Sequence, residues 1–304
     1  MVAWDGIAPP DSIRSLGFAA FRLLGPSAAV SRPQAPPTLV NRCAGQSVIA
    51  ETLRIHSGES PRSWWARLVG SSPLSAQSRP WFQGALGEIA VGEALGRLGS
   101  EWTVLHAVPV GAGASDIDHV LIGPAGVFTL NTKNHSGTEV WVGEHAVFDA
   151  GHKQHYLPHA RHEARRAAKR LSAAVGEAVH VTPVLVLMEP KTLTIKQRPT
   201  DVHVVTERRL LRWLQRRGPV LTPEQVARII AAAVVASTWH NTPAPPEDTV
   251  ALQESFAELR LSVRAARRRR ELWRLAGPLA ALALIFGPGL ADAGLSGFRC
   301  SSGR

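Results

Sequence analysis

At 304 residues and 45% hydrophobic composition, the chain is long enough to bury a core, and one domain with appendages is the natural reading. Its two cysteines exclude a disulfide framework and a four-cysteine zinc site, and they fit a reducing, cytoplasmic setting. A formal net charge of +10 favours polyanionic partners, either nucleic acid or an acidic membrane surface.

Residues 1–79 are dense in Pro, Ser and Gly (PSAAVSRPQAPP, SGESPRSWW) and read as mostly irregular, with a short helix near residues 12–24. Asp5, Asp11 and Arg22 spoil a secretory-signal pattern there. Order begins near Pro80. Residues 85–98 predict an amphipathic helix with its apolar stripe on Val91, Ala94, Leu95 and Leu98, capped by Gly99. Glu88 precedes Val91 and Leu95 by helical spacings and so falls at the border of the buried face.

Strands follow at residues 102–110, 118–123 and 127–134. The last two flank Gly123-Pro124-Ala125-Gly126. Pro suits the second position of a type I or II turn, which predicts a four-residue connection rather than a tight primed hairpin. A symmetric connection places Asp118 opposite Asn131, and Lys133 then shares the face of Asn131.

Beyond a polar stretch, residues 158–175 predict a helix rich in Arg and Ala. The apolar run VTPVLVLM at 181–188 predicts a strand buried on both faces, and residues 202–205 a further short strand. Helices are expected at 207–216 and 223–239. This order gives an α/β architecture in which helices flank one mixed sheet. A Pro-rich break near 241–246 ends it. A charged helix at 248–274 carries Arg267, Arg268, Arg269 and Arg270, followed by the uncharged stretch 275–291. That stretch is short against the ~20 residues of a membrane span, yet its arginine flank suits a C-terminal anchor on the cytoplasmic face. The resulting divisions are 1–79 (irregular), 80–240 (the ordered domain), 241–274 (linker and basic helix), 275–291 (spanning or packing helix) and 292–304 (short tail).

Chemistry concentrates on four residues. Hydrolysis of a phosphodiester needs a cation, an activated water and help for the leaving oxygen. Asp118, Glu88 and the side-chain oxygen of Asn131 are candidate ligands for Mg²⁺ or Mn²⁺, which take one or two protein carboxylates and keep several waters. Lys133 is the candidate to offset developing charge or position the water. Taken singly, acids at strand starts commonly end strands or turns, and a helical Glu or strand Lys is usually solvated. The combination carries the reading. Arg161, Arg165, Arg166, Lys169 and Arg170 give the helix at 158–175 a basic side suited to phosphates. His152, His155, His159 and His162 have ligand-like spacing, but Gly151 and Pro158 break the helix that would align them.

The segments GALGEIAVGEAL (84–95), DIDHVLIGPAGVF (116–128) and NTKNHSGTEVWV (131–142) resemble the nuclease-related domain (NERD) family. Its members resemble restriction-endonuclease-like nucleases of the PD-(D/E)XK type. Weaker similarity runs through HARHEARRAAKRL (159–171) towards Trp239, so the resemblance covers about 80–240. It implies a restriction-endonuclease-like fold, a Mg²⁺- or Mn²⁺-dependent phosphodiesterase site at Glu88, Asp118 and Lys133, and a nucleic-acid partner. Asn131 stands where the family places a second acid. That substitution admits an alternative, a catalytically impaired module that binds nucleic acid or associates with a membrane as a scaffold.

Overall fold

The computed structural model describes residues 38–110, 115–240 and 248–295, with side chains described as far as 277. The helix expected near residues 12–24 lies outside these. Within 38–79 the chain is more regular than its Pro and Ser content implies: helix α1 (Gln46–Ser57) and the short α2 (Trp64–Leu68) precede α3 (Ser78–Leu95). The buried stripe of α1 is Gln46, Ile49, Thr52 and Ile55. Two polar residues in that stripe hide its helical period from an apolar pattern. The helix α3 begins earlier than expected and ends at Leu95; residues beyond it close tighter turns (Arg97 N–H to Ala94 O, Leu98 N–H to Leu95 O), so Gly99 is not its cap.

The strands β1 (Thr103–Pro109), β2 (Asp116–Gly123), β3 (Gly126–Asn134), β7 (Val181–Met188) and β9 (His203–Thr206) form a five-stranded sheet in the order β1-β2-β3-β7-β9. The first three run antiparallel, while β3, β7 and β9 run parallel, so the sheet is mixed. The expected register holds, with His119 paired to Leu130 and Gly123 to Gly126. The turn is tighter than expected, since only Pro124 and Ala125 lie between paired glycines. Proline's fixed negative φ still excludes a primed turn there. Pro183 does not disturb β7, because β9 pairs with that strand only from Val184 onward.

A second, four-stranded sheet was not legible in the sequence. It joins β4 (Glu139–Val142), β5 (Val147–Asp149), β6 (His152–Gln154) and β8 (Thr192–Ile195) in the order β6-β5-β4-β8. Two mixed sheets therefore replace the single one expected. Val140, Val142 and Val147 cover Leu157, Leu185, Leu187 and Val202, so this small sheet seals one end of β7.

Helices cover both faces of the larger sheet. On one face α4 (Tyr156–Val175) packs with α6 (Pro223–Ala233) and α7 (Ala236–Trp239), around Val120, Ile122, Val127, Ala164, Ala167 and Trp239. On the other, α3 and α5 (Glu207–Gln215) bury Val91, Leu95, Leu210 and Leu214 against Leu121, Phe128 and Leu130. Pro158 sits in the first turn of α4, where backbone N–H groups lack helical partners anyway. The helix ends at Gly176, whose φ of 81° gives the left-handed cap. The helix expected at 223–239 is interrupted between α6 and α7. The last helix, α8 (Thr249–Leu295), runs on through the uncharged stretch instead of ending near residue 274. Phe256 and Leu259 of α8 join Ile49, Leu74, Phe82 and Ala85 in a satellite core. Among the described residues no helix is long and apolar enough to cross a membrane.

Candidate active site

Alternation along β3 sends Phe128 and Leu130 into the α3–α5 layer and Val127 into the α4 layer. Asn131 and Lys133 follow Val127 to the α4 side. Asp118 reaches the same side from β2, in phase with Val120 and Ile122. The ladder is interrupted opposite Asp118. His106 pairs with His119 and Val108 with Ile117, while Ala107 between them has a φ of 46°. A non-glycine residue held in that region stores strain, which is common beside functional groups. The Ala107 carbonyl accepts from Nε of Arg42 at 2.8 Å.

The four predicted residues are brought together. Glu88, Asp118 and Asn131 are 7%, 8% and 4% exposed, which is unusual for carboxylates and an amide. Oδ2 of Asp118 accepts the backbone N–H of Thr132 at 2.5 Å, tying β2 to the site strand by a side chain. Burial raises the Asp118 carboxyl to about 6, with Lys133 and the Thr132 N–H opposing. Burial also holds Glu88 well above the carboxylate range, helped by the nearby charges of Asp118 and Asp116. Asp116 is raised by burial against the pull of Ser47 and Arg42. Lys133 is half-buried, with Nζ 5.9 Å from the Tyr156 ring centroid.

A fifth residue, Glu163 of α4, belongs to the cluster and was missed. Nδ2 of Asn131 donates to Oε1 of Glu163 at 2.7 Å. Burial, then the charge of Asp118, raises Glu163 to about 8, while Lys133 and the Asn131 bond oppose. The signal was present: Glu163 is the sole acid of α4 and lies three residues after Ala160 and four before Ala167, both buried against the sheet. The basic composition of that helix masked it.

The donor set suits a hard divalent cation, being oxygen-rich and anionic. Oδ1 of Asn131 and Oε2 of Glu163 are buried without any hydrogen-bond partner, an expensive condition that a cation would relieve. Among the described residues no three His, Cys, Asp or Glu side chains converge as a ready-made metal cage. One or two carboxylates with an amide oxygen and waters is the arrangement that remains, and it is sufficient for Mg²⁺.

The basic face of α4 is partly committed internally. Arg161 makes a two-pronged pair with Asp201 at 2.6 and 2.8 Å, and Arg166 donates to the Val110 carbonyl. Arg165 and Lys169 are exposed, and Arg170 is half-buried. The four histidines do not share a helix face: His152 is in β6, His155 precedes α4, and His159 and His162 are exposed on it. His119 points away from the acids and lies 2.9 Å from His106 through the two Nδ1 atoms. Burial lowers both rings, disfavouring their charged forms.

A groove of about 300 Å³ does not include Glu88, Asp118 or Glu163. It abuts them, lined by Gly87 beside Glu88, Asn134 beside Lys133, and Arg260 and Arg264 of α8. We take the acid cluster, not the groove, as the centre of the chemistry, because buried carboxylates need a functional reason and a surface groove does not.

No curated protein and no solved structure matches the chain. The model of the nuclease-related domain matches residues 83–188, from the residue before α3's glycine-containing segment to the end of β7, and so spans Glu88, Asp118, Asn131, Lys133 and Glu163. Over these residues the chain is similar to the nuclease-related domain family.

Proposed function

We propose that this domain binds nucleic acid and hydrolyses its phosphodiester bonds with Mg²⁺ or Mn²⁺. The observation that carries the reading is a cluster in which Asp118, Asn131 and half-buried Lys133 share one face of β2–β3. The buried Glu88 of α3 lies close enough to feel the charges of Asp118 and Lys133. Burying Glu88 and Asp118 together, with Asp116 and Glu163 near enough to add their charges, is costly unless a cation or a proton offsets them.

Asp118, with oxygens from its neighbours, would hold the cation. The bound cation supplies charge neutralisation and a more acidic water. Lys133 brings a positive group to the same face, where it offsets the charge that grows on the phosphate oxygens. Burial and the charge of Asp118 both disfavour the Glu88 anion, and Lys133 favours it. With a cation beside it, Glu88 is freed to accept a proton from water or to orient Lys133. Arg165 and Lys169 on α4, and Arg260 and Arg264 along the adjoining groove, offer phosphate contacts on either side of the acids. Such contacts position a strand without reading its sequence.

The test is cleavage of labelled single- and double-stranded DNA and RNA by the full chain with Mg²⁺, Mn²⁺ or EDTA, beside Asp118→Asn. Divalent-dependent cleavage abolished by the substitution is expected. Salt-sensitive binding without cleavage by folded protein would replace this reading with a non-catalytic platform.

A further inference from the structure

We propose that Glu163 supplies from α4 the carboxylate that β3 lacks at Asn131, so that one divalent cation is shared by Asp118, the Asn131 side-chain oxygen and Glu163. This rests on the reading of the cluster as a metal-dependent site. The geometry argues for it in three steps. First, an asparagine at this position is neutral, but it is not idle: Nδ2 is spent on Oε1 of Glu163 at 2.7 Å. In its ionised form, the one that would hold a cation, Glu163 can only accept, so that bond then fixes the amide's orientation. Second, Oδ1 of Asn131 and Oε2 of Glu163 are thereby left over, both buried and both without a partner. Asn131 itself is 96% buried by its 4% exposure, so bulk water does not satisfy its oxygen. Third, α4 approaches the sheet closely because Ala160, Ala164 and Ala167 form its buried stripe. A short Glu can therefore reach from the helix to a strand position that is otherwise acid-free.

Mn²⁺ binding alone, read by titration calorimetry on the full chain, tests this. The wild type, Glu163→Gln, Asp118→Asn and the double variant Asn131→Asp/Glu163→Gln are compared, with circular dichroism and melting in EDTA as the check of folding. The expected result is tenfold or weaker Mn²⁺ binding in Glu163→Gln, of the order one lost carboxylate ligand gives, and recovery in the double variant, where the acid returns to the strand. Wild-type affinity in Glu163→Gln overturns the proposal. If Asp118→Asn still abolishes binding in that case, the metal-site reading survives without Glu163. Absence of Mn²⁺ binding in the wild type overturns both.

The surface made by α2 and α8 carries a second inference on separate observations: we infer that it docks on an anionic lipid bilayer. Trp64 and Trp65 are stacked, with centroids 3.8 Å apart, yet 64% and 59% exposed. Leu68, Leu272, Trp273 and Leu275 are exposed as well. These residues are contiguous, since Trp273 Nε1 donates to the Leu68 carbonyl at 2.9 Å and Arg270 donates to that of Gly70. Exposed Arg267, Arg268 and Arg269 adjoin the apolar residues, and Arg269 binds the Arg67 carbonyl. Exposed indoles beside arginines match the lipid interface, where rings sit at headgroup level and guanidinium groups meet phosphates.

Co-sedimentation of the full chain with phosphatidylcholine vesicles, with and without phosphatidylglycerol, tests it. Binding that requires the anionic lipid and falls several-fold in Trp64→Ala/Trp65→Ala is expected. Equal binding by the variant, equal binding to neutral vesicles, or pelleting without vesicles (self-association) overturns it.

Discussion

Asn131 and Glu163 are joined by a 2.7 Å hydrogen bond between the central strand β3 and the helix α4. The one neutral side chain in the site is thus coupled to the one acid of its covering helix. Through this bond the electrostatics of α4 and of the β2–β3 hairpin are a single problem: Asp118 is among the charges that raise Glu163, and Lys133 among those that lower it.

That coupling predicts a pH-dependent stability. Asp118 and Glu163 titrate near 6 and near 8 in the folded protein, against ordinary values of 3.8 and 4.5. A raised carboxyl binds its proton more tightly when folded, so its contribution is complete below the unfolded value and is lost as pH rises through the folded one. Without divalent ions, these two carboxyls should make the melting temperature fall between about pH 4 and about pH 8, and Glu163→Gln should flatten the part of that decline above about pH 6. The depressed rings of His106 and His119 act with the opposite slope below ~6.5, so the comparison of variants, not the bare profile, is diagnostic. Indistinguishable profiles for wild type and Glu163→Gln would contradict the buried placement of this acid.

Mn²⁺ should reverse the decline. A ligand that binds only the folded state stabilises it by mass action, and deprotonated carboxylates bind cations better. The rise in melting temperature on adding Mn²⁺ should therefore be larger at pH 8 than at pH 6 by several degrees. Scanning calorimetry at the two pH values checks this.

The domain should require more than the residues the family model covers. Trp239 of α7 is fully buried and its Nε1 donates to the Ala233 carbonyl at 2.7 Å, while β9 completes the sheet beside β7. Trp239→Ala should cost about 3–5 kcal/mol, measured by urea unfolding, although the residue lies beyond 188. A cost within ±0.5 kcal/mol, as for an ordinary surface change, would show that α7 is peripheral.

Gly70 should be irreplaceable at the junction of α2 with α8. Its φ is 78°, and an added Cβ would lie 2.6 Å from both the Ala266 carbonyl oxygen and the Arg270 backbone nitrogen. Both clashes are with backbone, which cannot swing aside. Gly70→Ala should destabilise by about 1–3 kcal/mol and separate α2 from α8, which indole fluorescence would register through Trp64, Trp65 and Trp273.

What the sequence disclosed follows from how local each signal is. The register that sets Asp118 against the Asn131 end of β3 was legible because a glycine-flanked turn fixes a hairpin over a few residues. Glu88 was legible at the edge of an apolar stripe. The small second sheet was not, because β5 and β6 hold three residues each, too few for alternation to register. The helix α1 was concealed by the polar Gln46 and Thr52 within its buried stripe. The place of Glu163 on the buried side of α4 was masked by the basic helix around it, and its pairing was not legible at all. Its partner Asn131 is 32 residues away, and no period along the chain links a helix position to a strand position across a packed layer.

The central claim is metal-dependent cleavage at the cluster around Asp118 and Lys133. The most direct measurement is the rate of single-turnover cleavage of labelled DNA by the full chain with Mn²⁺, for wild type and Lys133→Ala purified identically. The account predicts cleavage that EDTA stops and that Lys133→Ala lowers by ~10²-fold or more, with melting unchanged in the absence of metal. Equal rates in the two proteins, or cleavage indifferent to EDTA, would contradict it.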